Sequence, residues 1–237
     1  MDWSRIDAAL FDLDGVLTPT ALVHRAAWSQ MFNAFLADEP GQAPYTDNDY
    51  FAHVDGKPRY DGVRDFLTSR GISLPEGDPS DGPDHRTVHG LGNRKNDEVN
   101  LILDRNGVQA YPGSLALLEI LAARGTAMAV VSSSQNAPTV LRSAGIDGYF
   151  PVVVDGSVAK EVGLPGKPAH DTFTYAAARL GVPTGRCVVV EDAVSGIQAG
   201  ASGDFAWVLG VDRGAGAQVL RDAGADEVVG DLEEVLP

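Results

Sequence analysis

From about residue 111 onward, short apolar runs alternate with helical stretches, and this alternation limits the possible folds more than any other feature of the chain. The apolar runs lie at 127–131, 151–154, 186–190, 205–209 and 227–229. Helical patterning fills 114–124, 137–144, 169–180, 194–201 and 218–223, and Gly125, Gly145 and Gly181 stand where helices can stop. Strands joined through helices of this length pair in parallel, so the expected fold is α/β, a doubly wound parallel sheet of Rossmann-like type. A further buried strand is expected at 7–14, where Ala8-Ala9-Leu10-Phe11 runs into Asp12 and Asp14.

The segment after that strand has a different character. Residues 21–37 read as a helix, with Leu22, Ala26, Phe32 and Phe35 at helical spacing and Pro40, Gly41 and Pro44 to end it. From 45 to 107 the chain is polar, with helical signals at 65–67 and 98–103 and a breaker-rich loop at 75–85. The chain is long enough for two domains. The expectation is therefore a core of 1–20 and 108–237 with an inserted α-helical cap domain, 21–107.

Charge narrows the partners. Asp and Glu total 33 against 18 Lys and Arg, a net −15, which disfavours nucleic acid and anionic membranes. An anionic substrate stays admissible, because a local cation can reverse the field inside one pocket. Cys187 is the single cysteine, so no intrachain disulfide can form, and its apolar neighbours mark it as a packing residue. No apolar signal core follows Met1, and no run is long enough to cross a bilayer. The chain is expected to be a cytoplasmic monomer with neither nucleic acid nor membrane as a partner.

Ligands of doubly wound sheets bind beyond the carboxyl ends of the strands. Three such ends carry polar groups here: Asp12/Asp14, Ser132 and Glu191/Asp192. Asp12 and Asp14 project to the same side of a strand end, and Gly15 lets the chain turn away. Two carboxylates this close need a cation or a proton. A magnesium site in which Asp12 attacks phosphorus and Asp14 moves protons is one reading, and a loop carrying two solvated acids is the other. Ser132 suits a phosphate oxygen and equally a helix N-cap. Lys167, in Gly166-Lys167-Pro168, is either a neutraliser of phosphate charge or an exposed turn lysine. Glu191 and Asp192 either complete an all-oxygen metal shell or cap the next helix.

Taken in this order, Asp12-Leu13-Asp14-Gly15-Val16, Ser132, Lys167 and Glu191-Asp192 resemble the motifs of the haloacid dehalogenase superfamily of phosphohydrolases and phosphomutases. The resemblance implies that Asp12 forms an aspartyl-phosphate, Asp14 is the general acid/base, and Ser132 and Lys167 hold the phosphoryl group. It also implies Mg²⁺ bound by Asp12, the Asp14 carbonyl and Asp192, with help from Glu191. Within the superfamily the chain is similar to the β-phosphoglucomutase subfamily. Thr20 to Trp28 carries that subfamily's characteristic histidine, His24. Gly56-Lys57-Pro58-Arg59 is similar to its cap loop, Arg94-Lys95-Asn96-Asp97 to a second cap motif, and Ser132-Ser133-Ser134-Gln135-Asn136 to its sugar and phosphate loop.

That similarity implies a sugar phosphate substrate met by Thr20, Gly56, Arg59, Lys95, Asn96, Ser133, Ser134 and Asn136. His24 would join cap closure to proton transfer. The implied reaction converts β-glucose 1-phosphate to glucose 6-phosphate through the 1,6-bisphosphate. A sugar-phosphate phosphatase uses the same core residues, and a non-catalytic phosphosugar binder would not need Asp12 as nucleophile. Three departures stand out: Gln135 replaces the usual lysine, Pro19 a common acidic residue, and 156–165 is longer than usual, an altered specificity element or a loop insertion.

Overall fold

Six strands form one parallel sheet among the described residues, which are 2–237 of this computed structural model. They are β1 (Ala8–Phe11), β2 (Ala127–Val131), β3 (Val152–Val154), β4 (Cys187–Glu191), β5 (Trp207–Val211) and β6 (Glu227–Val229), in the order β3-β2-β1-β4-β5-β6. β1 and β4 are buried throughout, which is why they read as unbroken apolar runs and not as alternating ones. Phe11 lies opposite Val130 on one side and Val190 on the other. The chain builds from β1 out to β3, then returns past β1 to begin β4. That reversal sets a topological switch point between β1 and β4, where such sheets open a crevice at their carboxyl ends. β5 begins at Trp207, two residues beyond the expected start at 205, because Phe205 packs against the rest of the core before the strand pairs with β4.

The chain divides into two units: the segment through Thr20 with Val108–Pro237, and Ala21–Gly107. The second unit is helical. It holds most of α1 (Thr20–Leu36), then α2 (Asp47–Asp49), a wide turn at Tyr50–Val54, α3 (Arg59–Ser69) and α4 (Val88–Asn106). Its core is aromatic: Phe32 lies 4.1 Å from Phe66, 5.0 Å from Tyr45 and 5.3 Å from Trp28 between ring centroids. Ala27, Trp28, Met31, Phe32, Phe35 and Leu36 form the buried stripe of α1. Leu22 and Ala26, expected on that face, are exposed: the stripe is offset by about one residue, and the aromatic side chains set it. The breaker-rich 75–85 stretch is a loop ahead of α4, whose N-cap Thr87 accepts from the Gly90 N–H.

In the sheet unit, α5 (Pro112–Ala123), α6 (Ala137–Ser143), α7 (Gly156–Val162), α8 (Asp171–Leu180), α9 (Val194–Ala201) and α10 (Ala217–Asp222) follow. α8 lays Phe173, Ala176 and Ala177 on Ala8, Leu10, Ala129, Val131, Cys187 and Val189. These strand residues alternate in sequence, so they share one face. Burial pushes the Cys187 thiol up to about 12, and it donates to the Pro183 carbonyl, a packing position. Residues 156–165 are not a plain loop insertion. Most of the run is helix α7, which Asp155 caps by accepting the N–H groups of Ser157 and Val158, and which Gly163 ends. The Asp155 cap was the sequence signal for this helix. No described helix is long and apolar enough to cross a membrane.

Candidate active site

The carboxyl ends of β1 and β4 bring Asp12 beside Glu191 and Asp192. The Asp12 N–H continues the ladder by donating to the Val190 carbonyl, so its side chain leaves the sheet at the switch point. Lys167, just before a cis Lys167–Pro168 bond, is 3% exposed. Its Nζ donates to Asp12 Oδ1 at 2.5 Å, Glu191 Oε1 at 2.6 Å and the Val131 carbonyl at 3.0 Å. An ammonium has three protons, so the lysine is fully committed. The exposed-lysine reading is thereby excluded. Glu191 is wholly buried, and its Oε2 accepts the N–H groups of Asp192 and Ala193.

Burial pushes the Asp12 carboxyl well above its ordinary value. Lys167 opposes that rise, while the charges of Glu191 and Asp14 add to it. Burial of Lys167 works downward, but Asp12 and Glu191 outweigh it and hold the ammonium above its usual value. The lysine therefore stays charged, and the three carboxyl groups gathered at the centre outnumber that one ammonium. Asp12, Glu191 and Asp192 each bring a carboxylate oxygen within 4.8 Å of one another. An all-oxygen, buried and under-neutralised donor set fits a hard divalent cation. Asp12 and Asp192 would hold the ion. Glu191 spends both oxygens on Lys167 and on the backbone that presents Asp192.

Two glycines make this packing possible. At Gly15, φ is +92°, and a Cβ would lie 1.8 Å from Asp192 Oδ2. A Cβ on Gly196 would lie 1.7 Å from Glu191 Oε1. Neither position tolerates a side chain without displacing a carboxylate.

Asp14 has its own support. Thr20 Oγ1 donates to Asp14 Oδ1 at 2.5 Å, and Ser132 Oγ approaches Oδ2 at 3.4 Å. Thr20 has one proton and gives it to Asp14, so Thr18 is the donor in the 2.7 Å Thr18–Thr20 contact. Thr20, expected among the substrate contacts, is 1% exposed and orients Asp14 instead. Ser132 is not a helix N-cap in the usual sense: its Oγ accepts the Ser134 N–H inside the loop before α6. Ser134 Oγ in turn accepts the Asn136 N–H, and the half-buried Ser133 carbonyl leaves no room for a Cβ on Gly156. The loop that carries Gln135 thus packs on the start of α7.

The remaining candidates lie in the helical unit. Arg59 Nη1 donates to Asn93 Oδ1 at 3.3 Å, which also accepts the Tyr60 hydroxyl at 2.8 Å. Burial draws the Arg59 guanidinium below its ordinary value, against Tyr60 and Asp97. Gly56 has a positive φ in the turn before α3, and Asn96 is half-buried on α4. Lys95 is 5% exposed, 2.6 Å from His24 Nδ1 and over the Trp28 ring. Buried Lys95 and half-buried His24 therefore form one pair, which their separate motifs did not reveal.

A family model described as haloacid dehalogenase-like hydrolase matches residues 6–204. The chain belongs to the haloacid dehalogenase superfamily. Within it, a β-phosphoglucomutase of Mycobacterium bovis is 47% identical, over 98% of this chain and 92% of the relative. A β-phosphoglucomutase of Bacillus subtilis is 32% identical, over 94% of this chain and 88% of its own length. In fold the chain is similar to the crystal structure of a hydrolase from Pseudomonas syringae, with a TM-score of 0.80, 22% identity, and 97% and 96% of the two chains covered. The motifs read in the sequence cover Asp12, Asp14, Ser132, Lys167 and Asp192. Thr18, Tyr111, Ser114 and Arg213, which also touch this centre or its loop, lie outside them.

Proposed function

We propose that this enzyme is a Mg²⁺-dependent β-phosphoglucomutase acting through an aspartyl-phosphate on Asp12. The observation that carries the reading is the Asp12 carboxylate held at a strand end by a fully committed Lys167, with Asp14 fixed separately by Thr20. A nucleophile and an acid/base with distinct supports are what phosphoryl transfer to and from a hydroxyl needs. Asp12 attacks phosphorus, Asp14 takes the proton of the acceptor hydroxyl and returns it to the leaving oxygen, and the phosphoryl oxygens are met by Ser132 and by the Lys167 proton that Asp12 gives up as its carboxylate bonds to phosphorus. Mg²⁺, held by Asp12 and Asp192, would supply charge neutralisation at the transferring group.

A mutase must also grip the phosphate that is not reacting. We assign that phosphate to Arg59, whose fork suits bidentate binding, and the sugar to the His24–Lys95 pair, Asn96 and the Ser133–Asn136 loop. The 47% identity to a protein named β-phosphoglucomutase supports this choice of reaction. We take the enzyme to work as a cytoplasmic monomer on free sugar phosphate. A phosphatase reading keeps the same core, and Arg59, Lys95, Asn96 and His24 carry the distinction between the two.

Phosphorus NMR on β-glucose 1-phosphate with Mg²⁺ and a trace of sugar bisphosphate separates the two. Glucose 6-phosphate without free phosphate is expected. Release of inorganic phosphate with no isomerised product would overturn the mutase in favour of the phosphatase.

A further inference from the structure

The turn after Asp14 is held from outside at three consecutive carbonyls. Arg213 Nε donates to the Gly15 carbonyl at 2.9 Å, Ser114 Oγ to the Val16 carbonyl at 2.6 Å, and the Tyr111 N–H to the Leu17 carbonyl at 2.9 Å. Arg213 follows β5, on the far side of β4 from the strand that carries Asp12. Its Nη1 also donates to the Gly230 carbonyl at 2.9 Å, Nη2 pairs with Asp231 at 3.4 Å, and the guanidinium lies 4.0 Å over the Tyr111 ring. The side chain is thus fixed on every edge and on one face, and it ends on the residue that packs against Asp192. Gly15 has no slack there, since the space a Cβ would take is occupied by the Asp192 carboxylate.

We infer that Arg213 is a positioning residue for the divalent ion: it sets the height of Gly15, and through it the separation of Asp192 from Asp12. The other two contacts hold the turn but do not reach Gly15. Loss of Arg213 lets Gly15 relax outward, and Asp192 then follows into the space released. The inference rests on the metal-dependent reading above.

The test is ion binding by the full chain without substrate. Mn²⁺ is followed by the paramagnetic resonance of the free ion, and Mg²⁺ by calorimetry, in the wild type, Arg213→Met and Arg213→Lys. Arg213→Met is expected to weaken both ions about tenfold or more, the range seen when groups that orient metal ligands are removed. In turnover it should raise the Mg²⁺ concentration needed for half-activity, leave the sugar-phosphate KM unchanged, and recover most of kcat at saturating Mg²⁺. A purely structural role would lower the melting temperature and the active fraction without moving ion affinity. Arg213→Lys cannot span the Gly15 and Gly230 carbonyls together, so it should fall between, and it carries the test if the methionine variant does not fold. Equal ion affinity in the wild type and a folded variant overturns the role of Arg213 alone. Absence of ion binding by the wild type overturns it together with the metal-dependent reaction.

Discussion

The two units handle charge differently. In the sheet unit, Lys167, Asp12, Glu191 and two backbone N–H groups form one buried network whose spacing follows from the register of β1 and β4. In the helical unit the cations are partnered separately: Lys57 with Asp65, Arg64 with Glu76 and Asp61, Arg70 with Asp49, Arg59 with Asn93, Lys95 with His24. The first arrangement is preorganised by backbone and cannot change one member without disturbing the rest. The second rests on small, part-exposed side-chain groups, and ion pairs of that kind are worth little singly. The two units thus differ in their tolerance to substitution.

The sharpest way to break this comparison is at Asp12. Asp12→Asn should leave the fold intact and lower kcat about 10⁴-fold or more, as removal of a nucleophile does; turnover by phosphorus NMR measures it. Lys167→Met should cost about 3–5 kcal/mol by urea denaturation, because Glu191 and Asp12 are left buried without their partner. No single cation of the helical unit should match that loss, and one that did would erase the distinction. Arg59→Ala should reduce mutase turnover about 100-fold while sparing hydrolysis of a small aryl phosphate, as loss of one bidentate phosphate contact predicts. Equal losses on both substrates would remove Arg59 from the distal phosphate.

Two pH experiments probe smaller effects. The raised Asp12 carboxyl costs stability as pH climbs above the ordinary value of 3.8 and through its folded value. A bound cation needs that carboxylate ionised and cancels the cost. Mg²⁺ should therefore raise the melting temperature more at neutral pH than in mild acid. Asp49 has the opposite sign. Although burial works upward, hydrogen bonds from Thr46 and Arg70 hold it below 3.8, so its contribution is present above that value and is lost as pH falls through the lower folded one. Asp49→Asn should remove about 0.2–1 kcal/mol at neutral pH and nothing in strong acid, read from urea midpoints.

The sheet was largely legible because parallel strands buried on both faces declare themselves as apolar runs. β2 at Ala127–Val131 and β6 at Glu227–Val229 lie where patterning puts them. Asp12, Ser132 and Asp192 were legible for the same reason, since each follows such a run, whereas Lys167 lies in a turn between α7 and α8 and only its Gly-Lys-Pro motif marked it. Less visible was what depends on distance in sequence. Arg213 lies 198 residues from the carbonyl it holds, and no local pattern marks it. The His24–Lys95 pair spans 71 residues and two helices. Helix α7 was hidden by its glycines and proline, though Asp155 announced its start. Leu22 misled because apolar spacing alone does not say which of two adjacent stripes the aromatic rings will bury.

The place of β1 in the sheet also has a consequence for synthesis on the ribosome. β1 emerges first, but its two neighbours, β2 and β4, are encoded after the whole helical unit. Ala21–Gly107 is one continuous stretch and can fold while β1 waits unpaired. Asp12 is therefore translated early and set in place late: until β4 arrives with Glu191, Lys167 lacks one of its two carboxylate partners, and Asp12 has no strand beyond it to fix its backbone.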